Sequence, residues 1–134
     1  MSRKEYVLIW PVWNKTVLVH FKLSGPAYAQ GLNGAGGKVE EGEAPADAAF
    51  REYREEVGGV SSCGELLPIG PVAEGEDFIV HGFALDVEPM GRGQFVDGLP
   101  ATWLSPFADV ETARWAGGAR ESAKQAVRVV LGVA

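Results

Sequence analysis

The sequence predicts an α/β fold in which a mixed β-sheet lies between helices. Several segments rich in Val, Ile, Leu and aromatic residues have the composition of strands, whereas two longer segments show helical periodicity. Strands interleaved with only two substantial helices favour a sheet with helices packed against it. The length of 134 residues is that of one domain, and no repeat or interdomain linker divides it. We therefore expect residues 1–134 to form a single domain.

The N-terminal segments predict a hairpin followed by a loop. Residues 6–10 and 16–23 have the composition of strands, and the short turn between them at 11–15 joins them most simply as a hairpin. Residues 24–37 contain five glycines and predict an irregular loop. Because glycine has no Cβ, the backbone of this loop can approach a ligand closely.

Residues 44–57 have the spacing of an amphipathic helix. Pro45 suits its first turn, and Gly58 suits a left-handed stop after its last turn. The apolar stripe expected to face the core consists of Ala46, Ala49, Phe50, Tyr53 and Val57.

The C-terminal half predicts three more strands and a final helix. The strands are expected at residues 65–73, 78–87 and 101–104. A turn at 74–77 and a glycine-rich loop at 88–98 connect them. Residues 120–131 show the periodicity of an amphipathic helix.

Composition limits the class of partner and the compartment. The net charge of −6 argues against a nucleic-acid polymer or an anionic membrane, because no basic field would attract either. Cys63 is the only cysteine, so we expect neither a disulfide framework nor a cysteine-based zinc site, and a half-buried or buried side chain. No apolar run approaches the roughly 18 residues of a membrane span, and no signal-peptide pattern is present. These features predict a cytoplasmic protein.

Three carboxylates converge on one side of the first predicted helix, because Glu52, Glu55 and Glu56 have helical i, i+3 and i+4 spacing. Their repulsion is about 2–3 kcal/mol per pair at an effective dielectric of about 20. A bound cation would offset this repulsion. Oxygen ligands without His or Cys favour Mg²⁺, which also accepts waters and substrate phosphates as ligands. The alternative is a solvated helix face, on which exposed like charges cost only a few tenths of a kcal/mol.

The spacing around these carboxylates resembles the signature of the Nudix hydrolase family, Gly-x5-Glu-x7-Arg-Glu-U-x-Glu-Glu-x-Gly-U, where U is a bulky apolar residue. All seven fixed identities are present: Gly37, Glu43, Arg51, Glu52, Glu55, Glu56 and Gly58. Two apolar positions depart from the pattern, since Tyr53 is aromatic and Gly59 stands where Ile, Leu or Val is usual. We expect Val60 to supply the missing apolar contact. The resemblance implies the Nudix α/β/α sandwich and hydrolysis of a diphosphate linkage.

The resemblance also implies roles for several of these residues. The expected metal ligands are the side chains of Glu52, Glu55 and Glu56, together with a backbone carbonyl of Gly36 or Gly37. The expected cofactor is Mg²⁺, for which Mn²⁺ can substitute. Arg51 is expected to pair with the carboxylates and orient them. Glu43 is expected to be structural, near a helix N-terminus where a carboxylate is favoured.

A carboxylate beyond this signature is expected to act as an extra metal ligand or as the general base. Asp97 lies where relatives carry that residue, and Glu88 is the second candidate. The alternative for Asp97 is a structural role, because Asp97-Gly98 is also a common turn dipeptide.

Residues 32–39 are similar to the stretch before the signature in MutT-type hydrolases of oxidised purine nucleotides. That similarity implies that the Asn33 amide hydrogen-bonds the base, although Asn33-Gly34 is equally a common turn dipeptide. Lys22 and Lys38 are candidate phosphate contacts, or else solvated side chains. Phe78 and Trp115 are candidate stacking surfaces for the base, or else core residues.

One feature disfavours an oxidised purine in particular. Mammalian-type members have acidic residues after the tryptophan that Trp115 resembles, whereas residues 116–118 here are Ala-Gly-Gly.

The sequence predicts a Mg²⁺-dependent pyrophosphohydrolase of a nucleoside di- or triphosphate that releases the nucleoside monophosphate and pyrophosphate or phosphate. The alternatives are ADP-ribose or a dinucleoside polyphosphate as substrate, or a catalytically silent module of the same fold. The intact signature disfavours the silent module, which has no physical need for three crowded carboxylates. The expected partner is a small-molecule nucleotide, and the expected assembly is a monomer or a homodimer.

Overall fold

The structure, a computed structural model, describes residues 3–25, 30–108 and 114–133. Its elements in chain order are β1 Lys4–Trp13, β2 Thr16–Lys22, β3 Gly31–Asn33, β4 Ala35–Lys38, α1 Pro45–Glu56, β5 Val57–Gly58, β6 Val60–Ser62, β7 Leu67–Glu74, β8 Phe78–Pro89, β9 Gln94–Val96, β10 Leu99–Leu104 and α2 Ala119–Leu131. Within the described ranges, no helix is long and apolar enough to cross a membrane.

The strands form a mixed sheet, as the sequence predicts. The main path of the sheet runs β5, β9, β10, β2, β1, β8, β6, while β3, β4 and β7 pair with β2, β1 and β8 respectively. β1 and β8 are parallel over a long register from Lys4 opposite Phe78 to Val12 opposite Asp86. The remaining named pairs are antiparallel. This arrangement confirms the predicted α/β class.

Each helix covers a different face of this sheet. Successive side chains of a strand point to opposite faces, and β1 divides its residues accordingly. Val7 and Ile9 pack in one cluster with Ala48, Ala49 and Tyr53 of α1. On the other face, a second cluster joins the β1 residues Trp10 and Val12 to the α2 residues Ala119, Ala123, Ala126 and Val127. The two clusters make the α/β/α sandwich that the sequence predicts.

The hairpin is confirmed, but its turn is shorter than predicted. β1 continues through Pro11 to Trp13, so only Asn14 and Lys15 form the turn. Both have positive φ values, 50° and 63°, which is the backbone of a type I′ turn. Pro11 lies inside β1, where its partner in the parallel register is Leu85.

The two predicted loops are wrong over part of their length. Within 24–37 the structure has β3 and β4, while residues 26–29 of that loop lie outside the described residues. Within 88–98 it has the end of β8 and the strand β9. The sequence analysis also missed β5 and β6, because strands of two or three residues carry too little pattern to be recognised locally.

The boundaries of both helices agree with the prediction to within one residue, but the predicted buried face of α1 is only partly right: Ala49 and Tyr53 are buried and Val57 packs against the core. Ala46 and Phe50 are exposed, and the buried side chains are Ala48, Ala49, Glu52 and Tyr53. The predicted left-handed stop at Gly58 is also wrong, since α1 ends on extended Val57 and continues directly into β5. Cys63 is exposed rather than half-buried.

Candidate active site

The first part of the site is the contact between the glycines of β4 and the last turns of α1. A Cβ on Gly37 would collide with the carboxylate of Glu52, and one on Gly36 would collide with the Val7 carbonyl of β1. The Gly36 N–H donates to Glu56 Oε1 at 3.1 Å. Two carboxylates of α1 therefore lie directly against a backbone that only glycine permits.

Arg51 links Glu43, which precedes α1, to Glu52 and to the end of β4. Its guanidinium donates to both carboxylate oxygens of Glu43, at 2.9 and 3.0 Å, and to Glu52 Oε1 at 2.8 Å. It also donates to the Lys38 carbonyl at 3.1 Å, at the end of β4. Bidentate pairs of this kind are geometrically specific as well as strong. Arg51 thus contacts both Glu52 and Glu43, and these are contacts through which the orienting role expected from the family resemblance would act.

The Arg51–Glu43 pair predicts a pH-dependent contribution to stability. The hydrogen bond from Arg51, assisted by the Glu40 backbone N–H, lowers the pKa of Glu43 to about 2. The unfolded chain has a Glu pKa of about 4.3, so the pair stabilises the fold fully above that pH and loses its effect as pH falls towards 2. We expect Glu43→Gln to lower the urea midpoint most near pH 7, with a difference from wild type that shrinks below about pH 4.

The matched control for this prediction is Glu40→Gln. The Glu40 side chain is 69% exposed and 3.8 Å from Arg51, so its replacement should have a small effect. A Glu43→Gln effect that was as large at pH 3 as at pH 7 would contradict the assignment.

Glu52 and Glu56 are two interacting carboxylates of the site. Glu52 is only 9% exposed, and the two side chains share a hydrogen bond. Burial is the main cause that raises the pKa of Glu56, followed by this hydrogen bond and by the charges of Glu52 and Asp97. Two carboxylates held this closely need either a shared proton or a cation between them.

Glu55 is placed differently from the other two carboxylates. Its side chain is 59% exposed, and its nearest cationic partner is Arg51 at 3.5 Å. Among the described residues, no group of three or more His, Cys, Asp or Glu side chains has the spacing of a metal site. The Glu52–Glu56 pair and the adjacent Gly36–Gly37 backbone nevertheless fit a hard divalent ion, because they offer oxygen donors that are costly to leave charged and unpaired.

Asp97 adds a carboxylate from the turn between β9 and β10. It forms this two-residue turn with Gly98, with φ values of 52° and 74°, which is the turn that the Asp-Gly dipeptide predicts. The pairing of β5 with β9 brings this turn to the end of α1, where the Asp97 N–H donates to the Glu56 carbonyl at 2.9 Å. The turn therefore presents Asp97 to Glu56.

A cleft of about 290 Å³ opens beside this contact. Its polar lining includes Glu56, Asp97, Asn33, Lys22 and His20. Gly36 and Gly37 line the same cleft, so Glu56 of the carboxylate pair shares one cavity with the proposed substrate contacts, whereas Glu52 is not part of the lining. The size is within the range of small-molecule sites.

The apolar lining of the cleft comes mainly from strands β7 and β8. Val72, Ala73, Phe78 and Val80 line it, and Phe78 is the aromatic residue that the sequence singled out. Apolar surface beside a few polar groups is typical of a site for a flat, partly polar ligand.

Several of the candidates named from the sequence lie outside the cleft lining: Glu52, Glu55 and Arg51 of α1, and also Trp115, Lys38 and Glu88. Trp115 packs against Trp10, with ring centroids 6.2 Å apart, and belongs to the cluster beneath α2. Lys38 is exposed at the end of β4, and only its backbone carbonyl is engaged by Arg51. Glu88 is exposed on β8 opposite Ser61.

The comparison with known families decides the identity of this arrangement. The sequence model of the NUDIX domain matches residues 4–124 of the chain. The chain belongs to the Nudix family. No curated protein matches it with significant similarity.

Solved Nudix structures share the fold at low sequence identity. A Nudix-family hydrolase from Clostridium perfringens is 20% identical with a TM-score of 0.61, and the match covers 97% of this chain and 99% of that one. A MutT Nudix hydrolase from Burkholderia pseudomallei is 18% identical with a TM-score of 0.67, covering 93% and 98%. A UDP-X diphosphatase is 14% identical with a TM-score of 0.63, covering 98% and 64%.

Family membership establishes the class of activity. The chain is a Nudix pyrophosphohydrolase, an enzyme that acts on nucleotide-linked substrates. Nudix hydrolases generally use divalent metal ions. The silent module considered from the sequence is therefore set aside.

The departure from the Nudix pattern at Gly59 has a structural cause. Gly59 has a φ of 80°, and an added Cβ would collide with the Gly93 carbonyl. Val60 packs against the cluster beneath α1 and against a small third cluster of Leu18, Ala35 and Val96, as expected of the residue that replaces the missing apolar side chain. The apolar contact is therefore made by Val60 instead of residue 59. Glycine occupies position 59, where the backbone passes the turn at 90–93.

The sequence analysis missed His20, which is 5% exposed and lines the cleft. The available signal was a lone histidine inside an apolar strand, where a polar ring needs a partner. Gly117 and Gly118, which also line the cleft ahead of α2, were noted only as a departure from the mammalian-type pattern.

Proposed function

We propose that this Nudix enzyme hydrolyses a nucleoside di- or triphosphate with Mg²⁺, or Mn²⁺ in its place, and releases the nucleoside monophosphate. The single observation that carries the proposal is that Glu56, Gly36 and Gly37 line the same cleft as Asn33 and Phe78. A ligand in that cleft can therefore place phosphates near carboxylate oxygens while a base contacts amide and aromatic groups.

The proposed metal ligands are Glu52 and Glu56 with a backbone carbonyl of Gly36 or Gly37, and Glu55 at the rim. These residues would hold the divalent ion, which would supply an ionised water and neutralise charge on the phosphate oxygens. Arg51 holds Glu52 in position through its 2.8 Å hydrogen bond. Asp97 lies beside Glu56 in the cleft and is the proposed acceptor of the proton from water.

The proposed substrate contacts are Asn33, Lys22 and Phe78. Asn33 offers an amide that matches the edge of a base, and Lys22 is a cation that can contact phosphate. Phe78 offers an apolar ring on which a base can stack. Trp115 and Lys38 have weaker support, because both lie outside the cleft lining. An oxidised purine remains one candidate base.

A nucleoside diphosphate conjugate is the second candidate substrate. One structural neighbour is a UDP-X diphosphatase, which makes a diphosphate linked to another group, such as ADP-ribose or a dinucleoside polyphosphate, a reasonable second class to test. We further propose a single Nudix domain that acts in the cytoplasm as a monomer or homodimer; a lone cysteine without a disulfide framework supports a reducing compartment.

The deciding experiment measures kcat/KM for dGTP, 8-oxo-dGTP, dCTP and ADP-ribose with Mg²⁺, for wild type and Asn33→Ala. If Asn33 reads the base, its loss leaves polar atoms of the base unpaired, a cost of roughly 1–3 kcal/mol or about 5- to 150-fold in kcat/KM. We expect that loss only for the purine substrates whose base Asn33 contacts, with hydrolysis of a poorly recognised nucleotide, such as the pyrimidine dCTP, almost unchanged.

Two outcomes would overturn parts of this proposal. An equal decrease for all substrates, with a lower melting temperature, would assign Asn33 to the turn instead. Activity that persisted in excess EDTA would remove the metal from the mechanism.

A further inference from the structure

His20 lies directly across from the proposed base contact. It is in β2, and its register partner in β3 is Asn33. Its Nε2 is 3.1 Å from the Gly34 carbonyl oxygen. Because a carbonyl oxygen can only accept, Nε2 must carry the hydrogen of this bond.

The rest of the ring has no comparable contact. A neutral imidazole with its hydrogen on Nε2 has an unprotonated Nδ1, and Nδ1 is buried without a hydrogen-bond partner among the described residues. Burial is also the main cause that lowers the pKa of His20, which agrees with a neutral ring. The bond to Gly34 is thus the one polar contact, within the described part of the chain, that a buried ring with 5% exposure makes.

Gly34 links this contact to Asn33. Its N–H donates to Asn33 Oδ1 at 2.9 Å, while its carbonyl accepts from His20. A Cβ at Gly34 would come within 2.5 Å of the Ile9 carbonyl and 3.0 Å of the Trp10 ring, so the peptide packs tightly on β1. One chain of contacts therefore runs from the His20 ring, through the backbone of Gly34, to the Asn33 carboxamide in the cleft.

We propose that His20 is a positioning residue for base selection: by fixing the Gly34 carbonyl it orients the Asn33 carboxamide in the cleft. The proposal rests on the proposed function in one respect, that Asn33 contacts the ligand. His20 itself acts through Gly34 and Asn33.

Two substitutions separate the roles of the two ring nitrogens. His20→Gln places an amide N–H where Nε2 was, so it keeps the bond to Gly34. His20→Asn places its amide where Nδ1 was and loses that bond. The two variants are alike in polarity and differ in which nitrogen they replace.

The expected effect is on binding rather than on turnover. Loss of one positioning hydrogen bond corresponds to about 5- to 10-fold in affinity, so His20→Asn should raise KM for the preferred nucleotide by that factor with kcat little changed. His20→Gln should restore most of the wild-type KM. Equal losses in both variants would overturn the proposal.

A double-mutant cycle tests whether His20 acts through Asn33. Adding His20→Asn to Asn33→Ala should cause little further loss in kcat/KM, since the group being positioned is already absent. A double variant whose loss equals the product of the two single losses would show that His20 acts independently and overturn the proposal.

An NMR measurement keeps the test independent of activity and of variant folding. In ¹⁵N-labelled wild-type protein, the His20 ring should be the Nε2–H tautomer, and an Nδ1–H tautomer would overturn the proposal. The Asn33 side-chain amide and Gly34 backbone signals should move in His20→Asn and stay near wild type in His20→Gln. If the nucleotide screen failed while these signals behaved as expected, the proposed function would be wrong and the positioning contact would stand.

Discussion

Replacing Glu56 by Gln should reduce turnover by at least about 100-fold while the protein stays folded. Gln keeps the shape of the side chain and can still accept from the Gly36 N–H, but it removes the charge that the proposed metal site requires. The substitution also removes a carboxylate whose charged form is disfavoured by burial. We therefore expect a melting temperature in EDTA equal to or above that of wild type.

The matched control is Glu41→Gln, which removes one charge from an exposed position before α1. It should leave kcat within about twofold of wild type. Mn²⁺ binding, measured by electron paramagnetic resonance, gives a readout besides activity: Glu56→Gln should weaken it and Glu41→Gln should not. Wild-type turnover in Glu56→Gln would contradict the assignment of Glu52 and Glu56 as metal ligands.

Restoring the usual Nudix residue at position 59 should destabilise this protein. Gly59→Ile puts a β-branched residue at a φ of 80°, a conformation it adopts only with strain, and forces its Cβ onto the Gly93 carbonyl. It also disturbs the hydrogen bond from the Met90 N–H to the Gly59 carbonyl, which is 2.7 Å long. We expect a loss of roughly 3–5 kcal/mol, or a melting temperature lower by about 10 °C or more.

Gly58→Ala is the matched control for Gly59→Ile. Gly58 is the preceding residue, has no positive φ, and an added Cβ there meets nothing within 4 Å. Its substitution should change stability by less than about 1 kcal/mol, as for a site without strain or collision. If Gly59→Ile were as stable as Gly58→Ala, the structural explanation for the departure at this position would be wrong.

Most of the long elements could be predicted because their signals are local. The helices at 44–57 and 120–131 and the strands of β1, β2, β7 and β8 each span enough residues for periodicity or composition to accumulate. The strands β3, β5 and β9 have two or three residues each, so their existence depends on distant partners. That dependence matters for the site, because the β5–β9 pairing brings Asp97 to Glu56.

The orientation of α1 could not be read from its periodicity. Phe50 is the largest apolar side chain of the predicted stripe, yet it is exposed and lies 5.8 Å from the Arg54 guanidinium carbon. Glu52 is buried instead, because Gly37 leaves space for its carboxylate and Arg51 supplies a hydrogen-bonded counter-charge. These tertiary contacts, rather than the hydrophobic pattern, decide which face of α1 is buried.

The sequence by itself determined the Nudix signature, the α/β class and the oxygen-rich character of the site, since each depends on residue types at fixed spacings along the chain. Only the tertiary structure decided which of the carboxylates interact, that Trp115 belongs to the core, and that His20 hydrogen-bonds the Gly34 carbonyl next to Asn33. These features depend on strand register and on the space that neighbouring backbones leave. Both are set by pairing between segments far apart in the sequence, for which a single chain carries no local pattern.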